Sequence, residues 1–249
     1  NNTNNNISDS STKGATMFLT PYANDIEYLD DRFQLLTTKI KSKNIELEKK
    51  EEEESRDSYR GGRERSSDSI LRELRAKERM LRGKCEKRLQ MTLEANGSSS
   101  SSTSFLPRLE KLAEIRKLTE FEKWVLLLLV GGIISHDISI ALNSNSYNIR
   151  HGSVNEFSVG YVLYLFCDSL EDRIAKRSVF YKKATLIKDG MINVSDKLSS
   201  DLNDCTIAVD RRMLDFIVGL DCEFNEIVEG SHLYMPRVLL DNVILPADQ

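Results

Sequence analysis

The chain has 249 residues, 40% hydrophobic and 30% charged, with a formal net charge of −4, enough for one large domain or two small ones. Its four cysteines, Cys85, Cys167, Cys205 and Cys222, include no close pair; this excludes a CxxC zinc or redox site and a disulfide framework, and fits an intracellular, reducing compartment. The longest apolar run, residues 124–134, is shorter than the roughly 20 residues that span a bilayer, and with no N-terminal signal pattern the chain is expected to be soluble and without a membrane partner.

The averages hide a division at the serine run. Residues 1–104 carry 19 Lys+Arg against 18 Asp+Glu, whereas residues 105–249 carry 16 against 21. The only Trp and most of the Phe and Tyr fall in the second part, so a packed core is expected only there. The expected fold is mainly α: a helical hairpin or coiled-coil arm, then a helical domain with a small β-hairpin.

Residues 1–16 are Asn, Ser and Thr with little else, a low-complexity tail that cannot bury enough apolar surface to offset its ordering entropy. The arm follows over residues 17–96. Thr20-Pro21 offers an N-cap and a proline at the first helical position. Ile26, Leu29, Phe33, Leu36, Ile40 and Leu47 then recur at heptad spacing, with Lys43 as the interruption, which predicts a helix of about 30 residues with a coiled-coil contact face. Gly61-Gly62 marks the turn. A second helix is predicted from Ser66-Ser67-Asp68, with a sparser stripe of Ile70, Leu71, Leu74, Leu81, Cys85, Leu89 and Leu93. Between Arg56 and Arg88 there are 12 basic and 6 acidic residues, while the first helix ends on Glu51-Glu52-Glu53-Glu54, so a hairpin would set acid beside base. A solvated, partly disordered charged segment is the alternative.

Residues 97–104 read as a serine linker, and residues 105–249 as the packed domain. A helix is predicted over 107–118. Thr119-Glu120-Phe121-Glu122 is a capping box, opening a helix that is apolar nearly all round and that Gly131-Gly132 should end. A short helix is expected over 135–142, then a polar loop over 143–152. Ser158 caps an apolar helix over 159–166, and Ser169 caps a charged one with Glu171 and Asp172 in its first turn, as the helix dipole favours. Two short strands, 191–194 and 206–209, flank a polar loop over 195–204. Asp210 then caps a last helix that Gly219 stops. Helices followed by a small hairpin with a polar tip is the order of a winged helix-turn-helix.

Motifs for chemistry are lacking. No G-x-x-x-x-G-K-[ST] phosphate loop occurs, His136, His151 and His232 lack metal-ligand spacing, and no GxSxG elbow is present. Catalytic, cofactor-binding and metal-binding residues are therefore all assigned as none. Arg173, Lys176, Arg177, Lys182 and Lys183 could contact a partner or, if they face phosphate, nucleic acid. Against nucleic acid stand Glu171 and Asp172, and a wing with Asp196, Asp201 and Asp204 against one Lys197.

One set of motifs carries a resemblance. Leu118-Thr119-Glu120-Phe121-Glu122, Val125-Leu126-Leu127-Leu128, Ser158-Val159-Gly160, Leu170-Glu171-Asp172-Arg173-Ile174, Phe180, Leu186-Ile187-Lys188-Asp189-Gly190, Val209-Asp210-Arg211-Arg212, Phe216-Ile217-Val218-Gly219 and Leu240-Asp241-Asn242-Val243-Ile244-Leu245-Pro246 together resemble the winged-helix region that precedes the ATPase module in a family of AAA ATPases. Residues 1–104 lie outside the resemblance. It implies that the chain is the non-catalytic front portion of an ATP hydrolase, with ATP and magnesium belonging to the module beyond it. It also implies an adaptor or regulatory role toward protein partners, its own ATPase module or a second copy. The alternative is a DNA-binding winged-helix regulator dimerised by the arm.

Overall fold

The computed structural model describes residues 19–54, 64–98, 105–143, 157–195 and 201–220. Among them run α1 (Asp25–Glu54), α2 (Glu64–Ser98), α3 (Arg108–Arg116), α4 (Glu120–Ile134), α5 (His136–Asn143), β1 (Phe157–Ser158), α6 (Val159–Phe166), α7 (Leu170–Arg177), α8 (Thr185–Lys188), β2 (Ile192–Val194), β3 (Thr206–Val209) and α9 (Arg211–Val218). The expected tail at 1–16, the Gly61-Gly62 turn, the loop beyond Asn143 and the motif at 240–246 lie outside the described residues. The expected linker begins later than predicted, because Gly97 and Ser98 belong to α2.

The fold is mainly helical with a small antiparallel sheet of order β1-β3-β2. Phe157 stands opposite Ile207, and Ile192 opposite Val209. This is the winged-helix arrangement, in which a strand before the helix-turn-helix joins the hairpin behind it. Strand β1 is not predicted from the sequence, since two residues are too few to show an alternating pattern.

Helices α1 and α2 form an antiparallel hairpin. Their ion-pair partners run in opposite order along the two helices: Lys49 with Asp68, Glu46 with Arg75 at 2.9 Å, Lys39 with Glu78 at 3.9 Å, and Asp31 with Lys84 at 2.7 Å and Arg88 at 2.8 Å. The helix begins four residues after the expected Thr20-Pro21 start. Tyr22 N–H donates to Thr92 Oγ1 and the Thr20 carbonyl accepts from Arg88 Nε, both at 2.9 Å, so the chain crosses α2 before Asn24 Oδ1 accepts from Glu27 N–H and the helix can open.

The core does not respect the expected division between arm and domain. Tyr22, Tyr28, Leu29, Leu36 and Ile40 share one apolar cluster with α3, α4, α5, α6 and the sheet. On its other side Leu35 packs with Leu81 and Cys85 of α2. The stripe expected to make a coiled-coil contact is thus turned inward at Leu29, Leu36 and Ile40, Phe33 is half-buried against the same cluster, and Ile26, at 73% exposure, is outside it. The reason is supply and demand for apolar surface. Helix α4 is buried nearly all round, from Val125 through Val130, and each such side chain gains about 1.5–3 kcal/mol from burial; the small sheet covers only part of it, and α1 covers another part.

Gly131 and Gly132 do not end α4, which continues to Ile134. They permit close packing. A Cβ at Gly131 would lie 2.5 Å from Ile138 Cδ1 and 3.0 Å from the Phe33 ring, and one at Gly132 would lie 2.7 Å from Phe157 Cζ.

Candidate functional site

The helix-turn-helix is α6, a turn at residues 167–169, and α7. Ser158 Oγ accepts from Tyr161 N–H at 3.2 Å and Ser169 Oγ from Asp172 N–H at 3.1 Å, so both helices open on the caps predicted for them. Cys167, in the turn, is fully buried; burial, then the nearby Asp172 carboxylate, pushes its thiol pKa up to about 11, which leaves it an inert packing group. The wing closes on α6 at Gly160, where a Cβ would stand 3.2 Å from the Asn203 carbonyl.

Helix α7 reverses the expected polarity of a surface helix. Leu170 and Ile174, one turn apart, are 68% and 65% exposed, and no α7 residue is buried. Its cations turn toward the protein instead. Arg177 donates to Asp201 Oδ1 at 2.5 Å and to Asn203 Oδ1 at 2.8 Å, tying the helix to the wing. That bond, against a smaller opposing effect of burial, holds the Asp201 carboxyl below its usual range. The Lys176 ammonium lies 5.7 Å from the Phe121 ring centre, and Arg173 lies 5.7 Å from that of Tyr164. The five basic residues singled out in the sequence do not converge: three are drawn to separate partners, and Lys182 and Lys183 are exposed in the turn after α7. Asp196 and Lys197 of the wing lie outside the described residues.

The sequence reading missed Leu170 and Ile174. Their signal was an i,i+4 apolar pair at the start of a charged helix, easily taken for the edge of the core. It also missed the polar seam that locks α1 in place. Glu110 accepts from the Tyr28 hydroxyl at 2.5 Å, from Lys123 Nζ at 2.9 Å and from Arg32 at 3.3 Å. The Arg32 guanidinium lies between the Tyr28 and Trp124 rings at 5.2 and 5.5 Å. Next to Arg32 on α1, Asp31 gathers Lys84 and Arg88.

No single helix among the described residues is long and apolar enough to cross a membrane; the apolar α4 is core. No group of three or more His, Cys, Asp or Glu side chains among the described residues is placed to hold a metal ion. No curated protein and no solved structure matches the chain. The sequence model of the winged helix domain, variant, matches residues 10–231, spanning the α1–α2 hairpin as well as the helix-turn-helix and its wing, and the chain belongs to that family.

Proposed function

We propose that the chain is a non-catalytic regulatory region that binds protein through α7, in a polypeptide whose AAA ATPase module supplies the chemistry. The observation that carries the protein-binding reading is the reversal of α7: Leu170 and Ile174 face solvent while Arg177 is held by the wing. A helix placed to read DNA needs its cations outward, toward phosphate. An exposed apolar pair beside half-buried arginines is the composition of a protein contact. The ATPase part of the reading is supported by the motif series from Leu118 onward that resembles the region preceding such a module.

Two experiments test the two parts. Walker A and Walker B motifs are expected in the reading frame beyond Gln249, and a stop codon there overturns the ATPase assignment. Replacing Leu170 and Ile174 together by Asp is expected to weaken association with the ATPase module about tenfold or more with the circular dichroism spectrum unchanged; unchanged association overturns the α7 assignment. DNA binding is the second reading, favoured by the wing topology and by exposed Lys182 and Lys183. Salt-dependent binding of duplex DNA, lost on replacing both lysines by Gln, would establish it instead.

A further inference from the structure

Where the α1–α2 hairpin meets the helix-turn-helix, a cleft of about 520 Å³ opens between α1, α2, α6 and α7. Its cations are Lys39, Lys43, Lys50, Arg75, Arg82 and Arg173. Its carboxylates are Glu46, Glu78 and Asp168, an excess of three positive charges over the same lining. The carboxylates are already engaged. Asp168 accepts from Lys43 at 2.8 Å, Glu46 from Arg75 at 2.9 Å and Glu78 from Arg82 at 3.1 Å. Among the described residues Lys50 and Arg173 pair with no carboxylate, and Lys39 reaches Glu78 only at 3.9 Å.

A second observation concerns hydrogen bonds. The hydroxyls of Ser42 and Tyr164 and the Nε of Arg173, all on residues that line this cleft, are buried and have no hydrogen-bond partner. Buried polar atoms are normally satisfied, and leaving one unpaired costs about 1–3 kcal/mol. Three such atoms, on α1, α6 and α7 around one cationic cleft, are accounted for by a ligand rich in acceptors that draws these side chains to itself.

We propose that the cleft binds a small phosphate-bearing anion. Phosphate supplies multiple acceptor oxygens for hydroxyl and guanidinium donors, and a charge that matches the excess of cations. Its place in the fold gives it a consequence. Lys43 of α1 and Asp168 in the turn before α7 already bridge hairpin and helix-turn-helix, so an anion bound among Lys43, Arg75 and Arg173 ties α1, α2 and α7 together. A smaller adjoining pocket of about 240 Å³ shares Lys39 and Arg82 with the cleft and is lined by Phe121, Trp124 and Phe166, a surface on which an aromatic base can stack.

Calorimetric titration of the chain with inorganic pyrophosphate and, separately, with a nucleoside diphosphate tests this in low salt. Binding of at least one is expected, weakening as salt rises and about tenfold weaker in Arg173→Gln. Lys50→Gln, on an exposed side chain, serves as the variant that leaves the fold intact and is also expected to bind more weakly. Equal affinities assign the diphosphate alone. Tighter nucleotide binding with a change in Trp124 fluorescence assigns a nucleotide that reaches the aromatic pocket. Failure of both ligands to bind at millimolar concentration, or binding that neither variant weakens, overturns the proposal.

Discussion

At the level of single residues, the decisive contacts are charges buried where a charge-dense sequence suggests only solvated ones. Glu110 is 75 residues or more from Arg32 and Tyr28 in sequence, yet it is their common partner. Burial opposes its ionisation, but the bonds from Tyr28 and Lys123 outweigh that and hold its pKa below the usual range. Asp31 behaves in the same way, with Lys84 and Arg88 outweighing burial. A depressed folded-state pKa means that the stabilisation is present above the unfolded carboxylate value, about 4, and is lost as pH falls through the folded one. Thermal unfolding followed from pH 7 to pH 3 is therefore expected to show a falling midpoint at the acid end, with a shallower fall in Glu110→Gln. Glu110→Ala leaves Arg32 and Lys123 in the interior without their shared carboxylate, and a loss of roughly 3 kcal/mol is expected in denaturant titration. None of this was legible in the sequence, because burial of Asp31, Arg32 or Glu110 depends on which distant segment covers it.

At the level of elements, the capped helix ends were legible, while the start of α1 and the end of α4 were not. The Thr119 capping box, the serine caps of α6 and α7, the Asp210 cap and the Gly219 stop all occur as read, since a cap joins residues two to three positions apart and needs no tertiary partner. Gly131 and Gly132 looked like a stop because glycine disfavours helix, yet they sit inside α4. Alanine there would regain about 1 kcal/mol of helix propensity but overpack the contact with Phe157, at about 1–3 kcal/mol. The overpacking wins. Gly132→Ala is expected to lower the unfolding free energy by about 1 kcal/mol, while Gly83→Ala, with nothing within 4 Å of its added methyl, is expected to raise it by about 0.5–1 kcal/mol. Urea titration of both variants distinguishes a packing glycine from a merely tolerated one. Helix α7 makes the same point from its side chains: its start and charge were readable, but which half faces the protein was set by Phe121, Tyr164 and Asp201 on other elements.

For the whole molecule the outcome is one core spanning what composition presents as two parts. A fragment of residues 105–249 lacks Tyr28, Leu29, Leu36 and Ile40, which pack in the same cluster as α4 and α5, and also lacks Tyr28 and Arg32 as the α1 partners of Glu110. It is expected to lose a cooperative thermal transition, measured by differential scanning calorimetry; a sharp transition in that fragment would show that the hairpin only decorates the domain. The sequence by itself determined the helical class, the two β-hairpin strands, the caps and the order of a winged helix, because each rests on periodicity or on contacts within a few residues. Tertiary structure alone decided that the α1 stripe is core rather than a contact face, that α7 shows its apolar pair to solvent, and that lysines and arginines from α1, α2 and α7 line one cleft. Those outcomes depend on which surfaces compete to cover α4, and that competition is settled between segments that can lie more than a hundred residues apart, as Lys43 and Asp168 do at 125.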